Sequence, residues 1–294
     1  MARLEGSWVA LVTPFQDGRI DGKALDRLLD FHLEARTDGL VICGTTGESA
    51  TLSADERAGL METVARRVGG KTGLMFGTGG NHTAGAVEMT RRAKDLGAEA
   101  VLVVTPYYNK PTQAGLQAHF QAVAAATPLP VVLYNVPGRT GVNLAAATTL
   151  ELAKTANIKA VKEASGNLDQ IMDILAKAPA GFSLLSGDDA LNFAILALGG
   201  RGTISVTGNV APRQLKACND AALAGDWNKA REIHFGLLDL HRALFLESNP
   251  IPVKTALHLM GFLRDEFRLP LVPMGAGPRA QLKQVLDRMG LTTR

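Results

Sequence analysis

Lys162 closes the strand-like run Ile158-Lys159-Ala160-Val161-Lys162, just before Glu163-Ala164-Ser165-Gly166. About one strand-plus-helix unit upstream, Val131-Val132-Leu133-Tyr134 ends a second run in a tyrosine. Alternation along a strand groups Lys162 with Ile158 and Ala160, and Lys159 with Val161 and Glu163. No carboxylate shares the strand face of Lys162. If Ile158 and Ala160 face an apolar interior, burial penalises the ammonium there and favours the free amine. A free amine attacks a carbonyl and forms a Schiff base. Tyr134 shares parity with Val132, so it can enter the same cavity from the neighbouring strand. Its hydroxyl can carry protons while a carbinolamine forms and dehydrates.

Three other segments add binding chemistry. Gly44-Thr45-Thr46-Gly47 offers backbone N–H groups and two hydroxyls, a cradle for the carboxylate of a short keto acid. Thr45 can link Tyr134 to a second hydroxyl, and Tyr108 of the Tyr107-Tyr108 pair is the candidate. Arg139 can hold a second carboxylate through a forked, bidentate pair. Taken singly, each has a bland explanation. A strand-end lysine is often exposed, Gly-Thr-Thr-Gly is often a turn, and Arg139 alone reads as a solvated loop residue. Asp188-Asp189 reads as a helix N-cap rather than a metal site. The six histidines are scattered without ligand spacing, so neither a metal nor another cofactor is expected.

The elements that must position these groups repeat along the chain. Strand candidates are Trp8–Val12, Leu40–Cys43, Leu74–Phe76, Ala100–Val104, Val131–Tyr134, Ile158–Lys162, Ser183–Leu185 and Thr203–Val206. Several are continuous Val, Leu and Ile runs, as expected of strands covered on both faces. Helical periodicity fills the gaps, as in Leu25, Leu28, Leu29, His32, or after the box Ser53-Ala54-Asp55-Glu56. Eight such units predict an α/β fold, a closed (β/α)8 TIM barrel over residues 1–225. Strands then stop. Helical patterns at Asp226–Phe245, Pro252–Arg264 and Pro278–Met289 predict a C-terminal three-helix extension over 226–294. Barrel sites form at the C-terminal strand ends, and all the segments above fall there. Gly199-Gly200-Arg201-Gly202 precedes its strand, which argues against a phosphate-binding barrel.

Composition narrows the class. Of 294 residues, 46% are hydrophobic, enough for one large core. The 31 basic and 28 acidic residues are interspersed as solvated helix faces, which argues against a nucleic-acid partner. Two cysteines make no disulfide framework, and no apolar run is long enough to span a membrane. The expectation is a reduced, cytoplasmic protein with small-molecule partners.

The motifs resemble a known family. Gly39-Leu40-Val41-Ile42-Cys43-Gly44-Thr45-Thr46-Gly47-Glu48-Ser49-Ala50-Thr51-Leu52 is similar to the first signature of the dihydrodipicolinate synthase / N-acetylneuraminate lyase family. Tyr134-Asn135-Val136-Pro137, followed by Val161-Lys162-Glu163-Ala164, resembles the second. The likeness extends through Leu185-Ser186-Gly187-Asp188-Asp189 and Asn249-Pro250-Ile251-Pro252-Val253-Lys254. It implies a lyase that condenses pyruvate, held on Lys162, with aspartate-4-semialdehyde on the lysine and diaminopimelate route. By the same resemblance, Tyr134, Thr45 and Tyr108 form a proton relay, with Tyr108 reaching a neighbouring subunit's site. Thr46 contacts the pyruvate carboxylate, Arg139 the semialdehyde's carboxylate, and the backbone carbonyls of Gly187 and Ile204 line the site. The implied assembly is a homotetramer built as a dimer of dimers. The alternative within the family is a lyase for sialic acid or a 2-keto-3-deoxy sugar acid, and Arg139 argues against it. A keto-acid-binding barrel without catalysis is a further alternative, disfavoured because Lys162 and Tyr134 are both present. Where lysine-inhibited relatives carry a histidine-like group and an acid, Ala54, Arg57 and Gly85 stand here, so weak inhibition by lysine is expected.

Overall fold

The computed structural model describes residues 3–292. Met1, Ala2, Thr293 and Arg294, the outermost residues of the two expected ranges, lie outside the described part. Among the described residues the strands are β1 (Gly6–Ala10), β2 (Phe15–Gln16), β3 (Arg19–Ile20), β4 (Gly39–Ile42), β5 (Gly73–Gly77), β6 (Ala100–Val104), β7 (Val131–Asn135), β8 (Ile158–Glu163), β9 (Ser183–Ser186) and β10 (Gly202–Ser205). Eight of them close a parallel barrel in the order β1-β10-β9-β8-β7-β6-β5-β4. All eight expected strands are present, and the fold is the expected (β/α)8 barrel.

Strand alternation sorts the apolar residues into two cores. Trp8, Ala10, Val41, Met75, Leu102, Val132, Tyr134, Ala160, Leu185 and Ile204 fill the barrel interior. Val9, Leu40, Ile42, Leu74, Val101, Leu133, Val161 and Leu184 face outward onto the helices. At the barrel floor, a Cβ on Gly39 would come within 2.2 Å of the Trp8 ring. The glycine that opens β4 is there for that indole.

Boundaries moved where side chains capture backbone groups. Strand β10 ends at Ser205, one residue before the expected Val206, because Asp189 Oδ2 accepts the N–H groups of Val206 and Thr207 at 2.9 and 2.8 Å. In β8 the register shifts opposite Val131/Val132. This bulge puts Ile158 in the outer core, whereas Ala160 faces the interior, so the expected common face of Ile158, Ala160 and Lys162 is corrected. Lys159 is exposed and Val161 buried outside the barrel, as alternation requires. The hairpin β2-β3 had no place among the expected strands. Its Asp17-Gly18 turn has both residues at positive φ, the two-residue turn that favours this pair.

The capping box expected at Ser53 is formed: Glu56 N–H donates to Ser53 Oγ and Ser53 N–H to the Glu56 carboxylate. Such a cap is worth about 1 kcal/mol. Three helices follow the barrel, Trp227–Ala243, Ile251–Leu259 and Ala276–Arg288. The second stops five residues before the expected Arg264. Gly261 takes φ +82 and the Phe262 N–H turns back to the Leu257 carbonyl at 2.9 Å, a glycine-terminated helix end. Leu237, Leu240, Val253, Leu257, Leu282 and Leu286 bury their side chains in the outer core of the barrel.

Candidate active site

Strands β7 and β8 present Tyr134 and Lys162 side by side as paired residues. Both are 6% exposed, and Lys162 Nζ stands 4.3 Å from the centre of the Tyr134 ring. Among the described residues no carboxylate lies within ion-pair distance of Lys162. Glu163, its immediate neighbour, points the other way. Its carboxylate accepts from Asn135 Nδ2 at 3.2 and 3.1 Å, Ser165 N at 2.7 Å and Gln170 Nε2 at 3.1 Å. The amine therefore sits in the barrel with a ring beside it and no permanent counter-ion.

Above it lies a cavity of about 410 Å³, lined by Thr46, Tyr134, Arg139, Lys162, Gly187 and Asn249, among others. Gly187 opens this space. A Cβ there would fall 3.0 Å from Lys162 Cε and 2.8 Å from Ala164 Cβ, so any side chain would push the lysine aside. Thr46 is 2% exposed, and its hydroxyl accepts from Asn249 Nδ2 at 3.0 Å. Arg139 lies on the exposed rim and donates to the Asn249 carbonyl at 3.1 Å. Ile204 is buried in the interior core that also holds Tyr134, and it is not among the residues lining the cavity. Asp188 accepts from the Ala190 N–H at 3.0 Å, the cap expected of it. It also faces the cavity, and burial raises its carboxyl above the usual range, with the Asp189 charge adding to this against the Ala190 N–H.

Two more expected members stand apart. Thr45 lines an adjoining cavity of about 380 Å³ that shares Val136, Arg139 and Asn249 with the first and also contains Ser49 and Tyr107. Tyr108 lines neither cavity and is 90% exposed. A single chain thus brings together Lys162, Tyr134, Thr46, Arg139 and Gly187, sets Thr45 next door, and turns Tyr108 outward.

Among the cavity residues with no part in the site as read from the sequence are Asn249 and His241. Asn249 precedes the helix Ile251–Leu259, far from the barrel strands in sequence. Only its place in Asn-Pro-Ile-Pro hinted at a special backbone, and the Asn249–Pro250 bond is cis. His241 was one of six scattered histidines. Its Nδ1 lies 2.8 Å from Thr207 Oγ1, and burial holds its imidazole below the ordinary histidine value.

The site is thus an unpaired, buried amine with a phenol beside it, below a polar loop and an arginine. The model of the dihydrodipicolinate synthetase family matches residues 3–289. The chain belongs to this family. It is 49% identical over 287 residues to a 4-hydroxy-tetrahydrodipicolinate synthase of Trichlorobacter lovleyi, covering 98% of this chain and 99% of that one. A crystal structure of dihydrodipicolinate synthase from Aquifex aeolicus superposes with a TM-score of 0.97 at 46% identity, covering 99% of this chain and 100% of that chain. Another, from Acinetobacter baumannii complexed with pyruvate, gives a TM-score of 0.96 at 43% identity over 98% of this chain and 100% of that one. No described helix is long and apolar enough to cross a membrane.

Proposed function

We infer that the chain condenses pyruvate with aspartate-4-semialdehyde to 4-hydroxy-tetrahydrodipicolinate, a Schiff-base step of lysine biosynthesis. The observation that carries this reading is the buried Lys162 amine, free of any carboxylate, 4.3 Å from the Tyr134 ring. Nζ attacks the keto carbon of pyruvate, and the carbinolamine loses water to give the imine. Loss of a methyl proton gives the enamine, whose carbon attacks the semialdehyde's aldehyde. The semialdehyde's amine then closes the ring by displacing Lys162, which regenerates the enzyme. Tyr134 serves as the proton carrier beside the amine. Thr46 and the backbone of its loop hold the pyruvate carboxylate, and Gly187 lines the space for the keto acid. Arg139, at the rim, meets the carboxylate of the second substrate.

Thr45 and Tyr108 complete the relay only when copies assemble. Tyr108 is exposed and away from its own chain's cavity, as suits a residue that serves a neighbour, and a homotetramer built as a dimer of dimers is the assembly we propose. Cytoplasmic residence follows from the substrates of the reaction.

Arg139→Ala tests the substrate assignment. Steady-state assays should give a KM for the semialdehyde raised about tenfold or more, with that for pyruvate changed far less, because one carboxylate loses its forked partner. Equal effects on both substrates would make Arg139 a structural residue. Efficient cleavage of N-acetylneuraminate by the unmodified protein would instead favour the sugar-acid reading.

Lysine should inhibit weakly. The cavity of about 300 Å³ around Ala54, Arg57, Asn81 and Gly85 also contains Glu88 and Arg92. Two guanidiniums against one exposed carboxylate oppose a cationic ligand. Half-inhibition should lie above 1 mM, and a value below about 1 mM, the affinity of a ~4 kcal/mol interaction, would contradict this.

A further inference from the structure

Lys254 is 0% exposed and takes no part in the chemistry above. It lies in the helix Ile251–Leu259. Its Nζ donates to Glu48 Oε1 at 2.5 Å and to the Glu266 carbonyl at 2.7 Å. The rings of Phe15 and Phe267 stand 4.3 and 4.7 Å from the same nitrogen. The Glu48 side chain is equally buried, and its second oxygen accepts the Arg268 N–H at 3.3 Å. Two charges removed from water together cannot be separated without leaving one of them unpaired.

The acid's place in the chain gives the pair its consequence. Glu48 follows Thr45-Thr46-Gly47 directly and has φ +52, a left-handed backbone unusual for a residue with a side chain. Such a conformation persists only where its surroundings over-determine it. Around this loop, Thr13 Oγ1 donates to the Gly47 carbonyl at 2.7 Å and Asn249 Nδ2 to Thr46 Oγ1 at 3.0 Å. Lys254 lies one helical turn beyond Asn249-Pro250, with its N–H on the Pro250 carbonyl at 3.0 Å. The start of one C-terminal helix therefore grips the loop at two points, at Thr46 through Asn249 and at Glu48 through Lys254.

We propose that Lys254 and Glu48 are positioning residues, whose buried ion pair holds the Thr45-Thr46-Gly47 loop in the shape that receives the carboxylate of pyruvate. The inference rests on the reading that this loop takes that carboxylate. It gives the C-terminal helices a part in substrate binding as well as in covering the barrel.

The test uses the full chain and two variants. Lys254→Met strands the buried Glu48 carboxylate, a change that costs folding stability, so the deciding variant is the double Glu48→Gln/Lys254→Met. Removing both charges together leaves neither buried without its partner. Borohydride trapping at graded pyruvate, steady-state kinetics, thermal unfolding and amide exchange over residues 44–48 are measured together. In the folded double variant, half-saturation by pyruvate should rise about tenfold or more, the equivalent of losing one good hydrogen bond. Exchange in the loop should quicken. The KM for the semialdehyde and kcat at saturating pyruvate should each move less than about threefold. A folded double variant with unchanged pyruvate half-saturation overturns the proposal, as does a double variant that cannot fold, since the pair would then serve the fold alone. Failure of the unmodified chain to form any pyruvate adduct at Lys162 would remove the underlying site reading, and that result is read before either variant is made.

Discussion

Pyruvate followed by borohydride will leave one reduced adduct, on Lys162, and end turnover. The selectivity comes from environment. Lys159, three residues away, is exposed on the outside of the barrel and lines neither cavity. Lys254 is buried as deeply as any residue, but it is locked to Glu48 at 2.5 Å and lines neither of the two cavities at the barrel mouth. Lys162 alone of these three combines burial, the absence of a carboxylate partner and a wall of the central cavity. Gly187 leaves its Cε–Nζ end room to move toward a carbonyl. Peptide mass analysis of the trapped protein decides the matter. An adduct on Lys159, or none, would remove the Schiff-base mechanism. Lys162→Met should lose both the adduct and all measurable turnover while unfolding at nearly the same temperature, since methionine fills similar space.

Tyr134→Phe should lower kcat by about 10²-fold or more, the loss expected when a positioned proton carrier is removed. The ring would stay, packed with Val132, Ala160 and Ile204 in the barrel interior, so the fold and the shape of the cavity should be kept. Pyruvate half-saturation in the trapping assay should change much less than kcat, because the role proposed for the hydroxyl is proton transfer and not a contact with the carboxylate. An unchanged kcat would reduce Tyr134 to a packing residue. The paired positions of Tyr134 and Lys162 on β7 and β8 make that outcome hard to reconcile with chemistry at this lysine.

How much of this was legible depended on how local each signal was. The continuous apolar strands and the helical periods between them depend on neighbours two to four residues away, so the eight units and the barrel were readable in order. The same held for the Ser53–Glu56 capping box and the Asp188 cap. Lys162 and Tyr134 could be placed at the C-terminal strand ends because they ended their runs. The face of Ile158 was misjudged because a bulge adds one residue to β8, and nothing in Ile-Lys-Ala-Val-Lys announces it. The hairpin at Phe15–Ile20 was missed although Asp17-Gly18 is a strong local turn signal, because its strands are only two residues long.

The site itself divides along the same line. By itself the sequence determined the strand ends that carry Lys162, Tyr134, Thr46, Arg139 and Gly187, since a parallel barrel gathers the C-terminal ends of all its strands at one mouth. It also determined that no carboxylate would share the strand face of Lys162. Barrel closure and the return of the C-terminal helices decided the rest. They set Asn249 against Thr46 across 203 residues and Lys254 against Glu48 across 206. They put His241 in the cavity wall, Thr45 in the adjoining space and Tyr108 out in solvent. Contacts of that range leave no period in the sequence. They depend on which side chains a closed sheet and its covering helices bring within hydrogen-bond reach, and on the desolvation of charges that only the packed chain can pair.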